Sequence, residues 1–295
     1  MTRTAITLLR REFWEHPALY FGPVIVLALF LIAALSDFNH IGSWVEQIGD
    51  ATARGTLGVA LAAIGMPFVL VLLIVVPLYL LDSLYAERKD RSILFWKSMP
   101  VSDTATVLSK LAVAMLAVPL ATWVILLVTQ LLLLAIAGIA LAVSDAAPVT
   151  LLLQPLAFMQ AQALVLYALL AVSLWYAPVY GWLLLVSAWS KRAVFLWATL
   201  TPIVAIVLEK KLLRSDYLAG WVGERLFGVF HLGFVLPPWS RNTYTDADTL
   251  QQSPAATELI NASALVMSAE LWIGLIVAAA FVAAAVGLRR YRDDS

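Results

Sequence analysis

Six apolar stretches, each long and apolar enough to cross a lipid bilayer as a helix, dominate this sequence. A transmembrane helix needs about 20 residues. The stretches lie at about 17–35, 57–81, 111–137, 161–188, 193–208 and 271–288. Only 13% of the residues are charged and 62% are hydrophobic, which excludes an ordinary soluble domain. We therefore predict an all-α integral membrane protein with six transmembrane helices, folded as a single domain over residues 1–295.

The distribution of basic residues predicts the orientation, because cytoplasmic segments of membrane proteins are enriched in Lys and Arg. With the N-terminus in the cytoplasm, the cytoplasmic segments contain 13 of the 19 basic residues. The other six are Arg54, Lys210, Lys211, Arg214, Arg225 and Arg241. Five of these six lie in one long outer loop, where charge has little effect on topology. We therefore expect a multi-pass protein with both termini in the cytoplasm.

Thiol labelling checks this orientation, since the chain has no cysteine. We expect a membrane-impermeant thiol reagent, added to intact cells, to label a Ser253→Cys variant and to leave a Ser295→Cys variant unlabelled. The first position lies in the predicted outer loop and the second lies at the cytoplasmic C-terminus. Equal labelling of both variants from outside would contradict the topology.

Residues 82–110 form the dense charged segment between the second and third spans. Within this segment, four large apolar residues follow a charged stem, and they are Ile93, Leu94, Phe95 and Trp96. A solvated loop has little reason to present such a group, whereas a surface that docks on a cytoplasmic partner does. The alternative is that Phe95 and Trp96 lie among the inner lipid headgroups, as interfacial aromatic residues do.

Residues 3–15 precede the first span and have an amphipathic pattern. Ile6, Leu9 and Phe13 fall on one helical face, so we predict a helix lying in the inner membrane interface and anchored by Trp14. A short cytoplasmic helical tail is the alternative. A second apolar segment, 218–230, is too short to span and is expected to lie at the outer interface or to dip into the membrane.

Prolines predict where the helices are interrupted. The third stretch is longer than one span needs, so we expect tilt or a break near Pro119. Residues 150–162 are expected to form an outer-surface helix broken at Pro155. Within the fourth span, Pro178 and Gly181 predict a kink.

A few polar and aromatic side chains at membrane depth are candidates for a substrate path. These candidates are Gln130, Gln162, Trp175, Tyr176 and Tyr180. Two other interpretations compete with this one. Glutamine commonly joins transmembrane helices by hydrogen bonds, and the aromatic residues suit interface belts and helix packing. The acidic residues at the span ends, Asp82, Glu209 and Glu270, are interpreted as ordinary helix-end residues.

The sequence contains none of the common motifs for enzyme or metal chemistry. It has no G-x-x-x-x-G-K-[ST] phosphate loop, no H-E-x-x-H pair and no G-x-S-x-G elbow. His16, His40 and His231 lie far apart, and there is no thiolate. We therefore predict no catalytic residue, no metal site and no cofactor in this chain. The zero net charge gives no indication of nucleic-acid binding. Since the spans contain almost no ionisable residues, an ion-driven carrier is also disfavoured.

Residues 87–110 resemble the type-2 ABC exporter permeases, which are the membrane subunits of bacterial ABC transporters. The matching residues are Glu87, Arg88, Ile93, Leu94, Phe95, Trp96, Pro100, Val101, Ser102, Leu108, Ser109 and Lys110. The chain departs from the family pattern at Arg91 and Ser92, where many members have Gly-Thr. Residues 176–192 and 195–210 are similar to a subgroup of these permeases, and the six-span layout with a long outer loop agrees as well.

The resemblance implies an exporter subunit without its own ATPase site, in the bacterial cytoplasmic (inner) membrane. Two permease chains, identical or homologous, would pair within the membrane lipid, and two copies of a separate ATPase subunit would bind ATP and Mg²⁺. A cytoplasmic coupling helix between spans 2 and 3 would dock on the ATPase through Glu87, Arg88, Asp90, Arg91, Ile93, Leu94, Phe95 and Trp96. The alternatives are a membrane scaffold or assembly factor, whose 87–96 loop binds another cytoplasmic partner, and an intramembrane enzyme.

Overall fold

A computed structural model describes residues 2–41, 54–90, 101–144, 152, 154–235 and 255–291. Within these residues, 89% are helical and no strand is present, so the all-α class is confirmed. The helices are α1 Thr2–Glu15, α2 Ala18–Ser36, α3 Arg54–Ala63, α4 Met66–Lys89, α5 Asp103–Ala112, α6 Val118–Ser144, α7 Pro155–Trp175, α8 Ala177–Trp189, α9 Val194–Leu208, α10 Tyr217–Leu232, α11 Ala262–Met267 and α12 Ala269–Tyr291.

Within the described parts of the chain, five helical runs are long and apolar enough to cross a membrane. They are Ala18–Ser36, Leu57–Lys89, Asp103–Ser144, Pro155–Trp175 and Ala269–Tyr291. The chain is therefore built as a multi-pass membrane protein. The predicted span 193–208 corresponds to α9, a helix of 15 residues that continues into a π-helical turn at Glu209–Leu213. The six-span count remains a prediction.

The second run is interrupted near its start, where the sequence predicted one continuous span. Helix α3 ends at Ala63, Ile64 and Gly65 form a turn, and α4 begins at Met66. Pro67 explains the interruption, because its ring nitrogen has no hydrogen to donate to the Ala63 carbonyl and its ring crowds that group. At its other end α4 continues to Lys89, eight residues beyond the predicted end of the span.

The third run contains no break at Pro119, although one was expected there. Helices α5 and α6 are joined through a π-helical turn at Val113–Ala117, so the run is helical from Asp103 to Ser144. The Val118 amide donates to the Val113 carbonyl, five residues back. This wider turn immediately before Pro119 accommodates the missing donor without ending the helix.

The fourth predicted span consists of two helices. Helix α7 begins at Pro155, in the first turn, where a missing N–H is tolerated. Residues 150, 151 and 153 of the predicted 150–162 helix lie outside the described residues. Helix α7 ends at Trp175, and α8 begins at Ala177 with Pro178 in its first turn. The predicted kink is therefore a helix boundary. Gly181 is explained by close packing instead, because a Cβ there would lie 3.0 Å from the Ala278 carbonyl oxygen of α12.

The N-terminal helix packs on the bundle through Leu9 and Phe13 of the predicted face and through two neighbouring side chains. Leu8 and Glu12 are buried, Leu9 and Phe13 are partly buried, and the side chain of Ile6 lies outside the described part of the chain. Trp14 is 73% exposed. The spacing of four between Leu8 and Glu12 places them on one face of α1, so a buried carboxylate extends the apolar face.

Glu209 caps the N-terminus of helix α10. Its carboxylate accepts hydrogen bonds from the Tyr217 and Leu218 amides, at 3.1 and 2.9 Å, and from the Ser215 hydroxyl at 2.8 Å. These groups lie at the N-terminus of α10, where backbone donors have no partner within the helix. The sequence suggested only an ordinary helix-end residue at Glu209, whereas this carboxylate fixes the start of the next helix.

Candidate functional site

Four charged side chains, two acidic and two basic, contact one another inside the protein at one end of the bundle. They are Glu12 of α1, Glu87 of α4, Lys110 of α5 and Arg289 of α12, and each is at most 6% exposed. The Lys110 ammonium lies 2.8 Å from Glu12 Oε1 and 3.1 Å from Glu87 Oε1. The Arg289 guanidinium lies 2.5 Å from Glu87 Oε2. We call these four residues the charge network.

Three further side chains complete the hydrogen bonding of the charge network. The Tyr79 hydroxyl donates to Glu12 Oε2 at 2.9 Å. Arg289 Nε donates to Asp103 at 2.9 Å, and the Arg11 guanidinium lies 3.4 Å from Glu87 Oε1. The additional partners satisfy lone pairs and protons that burial removes from water, which a buried ion pair requires.

Glu87 is the centre of the charge network, because it joins four helices. Its carboxylate contacts Lys110 of α5, Arg289 of α12 and Arg11 of α1, while Glu87 itself lies in the last turn of α4. Two buried carboxylates are balanced by two buried cations. Removing one member of such a set leaves an uncompensated buried charge, which typically destabilises a protein by about 3–5 kcal/mol. The charge network therefore fixes the helix ends relative to one another.

His16 borders the charge network and is not one of its cations. Its ring lies edge-on to Tyr79 at 4.9 Å, and its Nε2 is 4.0 Å from Glu12 Oε2. Burial lowers the pKa of the His16 imidazole below its ordinary value, with Glu12 opposing the shift and Lys110 adding to it. His16 therefore stays neutral near pH 7 and leaves the charge balance unchanged.

A second set of hydrogen bonds attaches the end of α4 to the end of α8. The Arg88 guanidinium donates to the Ser187 carbonyl and, at 2.9 Å, to the Ser190 carbonyl. The Ser187 hydroxyl accepts from the Leu84 and Tyr85 amides of α4, at 3.1 and 3.0 Å. Glu87 and Arg88 thus attach the same helical turn to different neighbours.

The predicted coupling residues are divided by the limits of the described chain. Five of them lie outside the described residues, and they are Arg91, Ile93, Leu94, Phe95 and Trp96. Of the remaining three, Asp90 is exposed and ends α4, whereas Glu87 and Arg88 bond to other helices of the same chain. The role of Glu87 seen here is to hold α4 in place.

Both ends of the segment 91–100 are held by the charge network. On one side, Glu87 lies three residues before Asp90. On the other side, the Ser102 hydroxyl caps α5 by accepting from the Ala105 amide at 3.2 Å, and Asp103 pairs with Arg289. The two helices that flank this segment, α4 and α5, are therefore held to each other and to α12 by buried ion pairs.

The two glutamine candidates form a hydrogen-bonded chain between helices. Gln162 Nε2 of α7 donates to Gln130 Oε1 of α6, and Gln130 Nε2 donates to the Leu61 carbonyl of α3 at 2.8 Å. Both glutamines are buried. These bonds support the helix-joining interpretation, since they connect three helices, although the Gln162 side-chain oxygen is buried and accepts no hydrogen bond from the described residues.

Two of the three aromatic candidates attach α10 to the junction between α7 and α8, and the third packs against them. The Trp175 indole donates to the Glu224 carbonyl at 3.2 Å, and the Tyr176 hydroxyl donates to the Leu226 carbonyl at 2.5 Å. Tyr180 is buried and stacks on Tyr176 with 6.4 Å between ring centroids. The contacts are those of helix packing, the interpretation that competed with a substrate path.

Sequence reasoning missed the charge network. Glu12, Lys110 and Arg289 were placed in cytoplasmic segments next to the predicted spans, and their burial at the helix ends was not predicted. The one available signal was the spacing of Glu12 from Leu8. Among the described residues, no group of three or more His, Asp or Glu side chains is arranged to hold a metal ion.

The chain was compared with family models, with curated protein sequences and with solved structures, and none of the three comparisons gives a match.

Proposed function

We propose that this chain is the membrane subunit of an ABC exporter, which moves a substrate across the cytoplasmic membrane with ATP hydrolysed by a separate subunit. The supporting observation is the charge network, which braces both ends of the segment 91–100. A subunit that is moved by a partner needs an apolar surface for the partner to bind, and this surface must be attached rigidly to the membrane helices. Residues 93–96 lie between two helix ends that the charge network holds in place. The family resemblance of the same segment agrees with this function.

The attachment of the segment 91–100 to the charge network suggests how a movement of the partner would be transmitted to the membrane helices. A partner that binds Ile93, Leu94, Phe95 and Trp96 and then changes conformation would displace the ends of α4 and α5. Because Glu87 joins these helices to α1 and α12, the four helices would move together. A flexible connection would absorb the displacement, whereas separating one buried pair is unfavourable by several kcal/mol.

The energy source in this proposal lies in the partner, because the chain contains no phosphate-loop motif. Two permease chains and two ATPase subunits would form the working complex, with ATP and Mg²⁺ held by the ATPase subunits. The six-span topology, the interfacial position of α1 and the cytoplasmic location of both termini belong to the same proposal.

Purification tests this function. We expect the tagged wild-type chain, extracted from its native membrane in mild detergent, to carry an ATPase subunit that contains a phosphate loop. The purified chain alone should hydrolyse no ATP. ATP hydrolysis by the partner-free chain would contradict the proposal. Stable association with a partner that lacks nucleotide-binding motifs would favour the scaffold or assembly-factor alternative.

A further inference from the structure

A large apolar crevice lies between four helices of the bundle. It has a volume of about 750 Å³ and is partly open to the surroundings. Its walls are formed by α4, α8, α9 and α10, with Phe281 of α12. Sites for small ligands commonly have volumes of about 300–1,000 Å³, so the crevice has the size of a binding site.

Nearly all polar groups in the walls of the crevice already form hydrogen bonds to main-chain carbonyls of the protein. The hydroxyls of Thr199 and Thr201 donate to carbonyls of their own helix, at 3.0 and 2.7 Å. The Trp182 indole donates to the Ala198 carbonyl at 3.1 Å. Arg225 is the one charged side chain among the described residues that line the crevice.

Arg225 is a buried cation, only 2% exposed. Its guanidinium lies 4.5 Å from the centroid of the Trp175 ring. It donates to the Glu270 carbonyl and, at 3.4 Å, to the Trp175 carbonyl. Gly274 makes room for it, because a Cβ there would lie 2.5 Å from Arg225 Cζ. The position of the guanidinium is thus fixed by its surroundings.

No counter-ion for Arg225 is present among the described residues, in which no carboxylate oxygen lies within 4 Å of it. Glu270 faces Arg225 with its main-chain carbonyl, and the Glu224 carboxylate pairs with His231 at 3.1 Å. The two carbonyls occupy two of the five N–H donors that a guanidinium offers. The Glu270 carboxylate favours the charged form of Arg225 from beyond ion-pair distance, and the Trp175 and Trp221 rings lie 4.5 and 5.5 Å from its Cζ. A buried cation is best balanced by an anion in direct contact, so Arg225 can still accept an anionic ligand.

The positions of Arg225 and of the apolar walls match the two parts of a lipid. The cation lies where the headgroup would be, and the walls lie where an acyl chain would be. Glu270 precedes Arg289 by 19 residues on α12, a rise of about 28 Å along a helix. Arg225 therefore lies near the membrane boundary opposite to the charge network. From there the apolar walls extend to Leu81, which precedes Glu87 by six residues, or about 9 Å along α4. The crevice thus runs through the hydrocarbon layer with its cation at one end.

We propose that the crevice binds a membrane phospholipid with a net negative headgroup, its phosphate near Arg225 and an acyl chain along the apolar walls. Basic pockets between transmembrane helices on the cytoplasmic side bind anionic headgroups, and the same attraction between a guanidinium and a phosphate would act at the opposite boundary. A helix of a second copy of this chain would cover the apolar walls but would leave Arg225 without an anion. The inference concerns ligand binding by the folded chain and does not depend on the exporter function.

Native mass spectrometry of the full chain tests the proposal, with phosphatidylglycerol and phosphatidylcholine added in turn to the delipidated protein in detergent. We expect phosphatidylglycerol to bind about tenfold more tightly, as an ionic hydrogen bond to a buried guanidinium allows. Arg225→Gln should abolish this preference and Arg225→Lys should keep part of it. Lys210→Gln is the matched control, because it removes an exposed cation from the neighbouring segment and should leave the preference intact.

Ala205→Trp provides a second test that leaves the cation in place. Ala205 lines the crevice, so an indole at this position would occupy the volume assigned to the acyl chain. We expect this variant to bind phosphatidylglycerol at least about tenfold more weakly, and it decides the question if Arg225→Gln fails to fold. Equal affinity of the wild type for the two lipids would overturn the proposal. Undiminished binding by Ala205→Trp, or a wild-type dimer that binds no lipid, would also overturn it.

Discussion

Replacement of Lys110 by methionine is expected to lower the free energy of unfolding by about 3–5 kcal/mol. Lys110 is fully buried and its ammonium lies within 3.1 Å of both Glu12 and Glu87. Methionine fills much of the same volume but leaves the Glu12 carboxylate buried without its cation, while Glu87 keeps Arg289 and Arg11. The loss arises from this uncompensated charge rather than from lost packing, so it should exceed the effect of any exposed charge change.

The measurement is unfolding of the purified chain in detergent micelles, compared with a Lys210→Met control. Lys210 also pairs with a carboxylate, that of Asp216 at 3.2 Å, but the two side chains are 69% and 65% exposed. An exposed pair contributes about 0–1 kcal/mol. If the two lysine variants lose equal stability, the charge network does not hold the bundle together.

A double variant separates unpaired charge from other effects at this position. Combining Glu12→Gln with Lys110→Met removes one carboxylate together with the cation. We expect this double variant to be more stable than Lys110→Met alone, because fewer uncompensated charges remain. Such non-additivity is expected for residues that share one network. A double variant that is less stable than Lys110→Met would contradict this explanation.

The Phe95→Ala/Trp96→Ala double variant is expected to insert and fold normally but to lose its ATPase subunit. Burial of a large apolar side chain contributes about 1.5–3 kcal/mol, so removing two from a docked surface should weaken binding by about 100-fold or more. The flanking charges would orient the dock more than strengthen it. Co-purification of the ATPase subunit and stimulation of its ATP hydrolysis are the two quantities to measure.

Trp14→Ala is the matched control for this variant. Trp14 is an exposed aromatic residue on α1, at the same end of the bundle as the charge network. Its loss should leave partner binding unchanged. If the Phe95→Ala/Trp96→Ala variant keeps partner binding and stimulation at the wild-type level, these residues do not couple the two subunits. The interfacial alternative for Phe95 and Trp96 would then be favoured.

The sequence predicted the helical class and the positions of several long helices, because long apolar runs have few other solutions in a membrane protein. The stretches 17–35 and 271–288 agree with α2 and α12 within three residues at each end. Two prolines predicted where irregularities occur but not their form, since Pro119 follows a π-helical turn and Pro178 begins a new helix. Pro67 interrupts a helix where one continuous span was predicted, whereas Pro77 lies inside a helix. Tertiary packing chooses among these outcomes.

The charge network was not predictable from the sequence, because its pairs are distant along the chain. Glu12 and Lys110 are 98 residues apart, and Glu87 and Arg289 are 202 residues apart. Each of these residues, taken alone, looks like a solvated cytoplasmic charge near a helix end. Only the packing of α1, α4, α5 and α12 against one another removes water from all four. The same applies to Arg225, whose burial depends on α7, α10 and α12 together.

Site-specific photo-cross-linking from Leu94 tests the central claim most directly, because it identifies what the segment 91–100 contacts in the cell. A photoreactive amino acid at Leu94 is predicted to give one main cross-linked product, which contains the ATPase subunit with its phosphate loop. The same residue at the exposed position Trp14 should not give this product. Cross-linking from Leu94 only to lipid, or only to a protein without nucleotide-binding motifs, would contradict the proposed coupling.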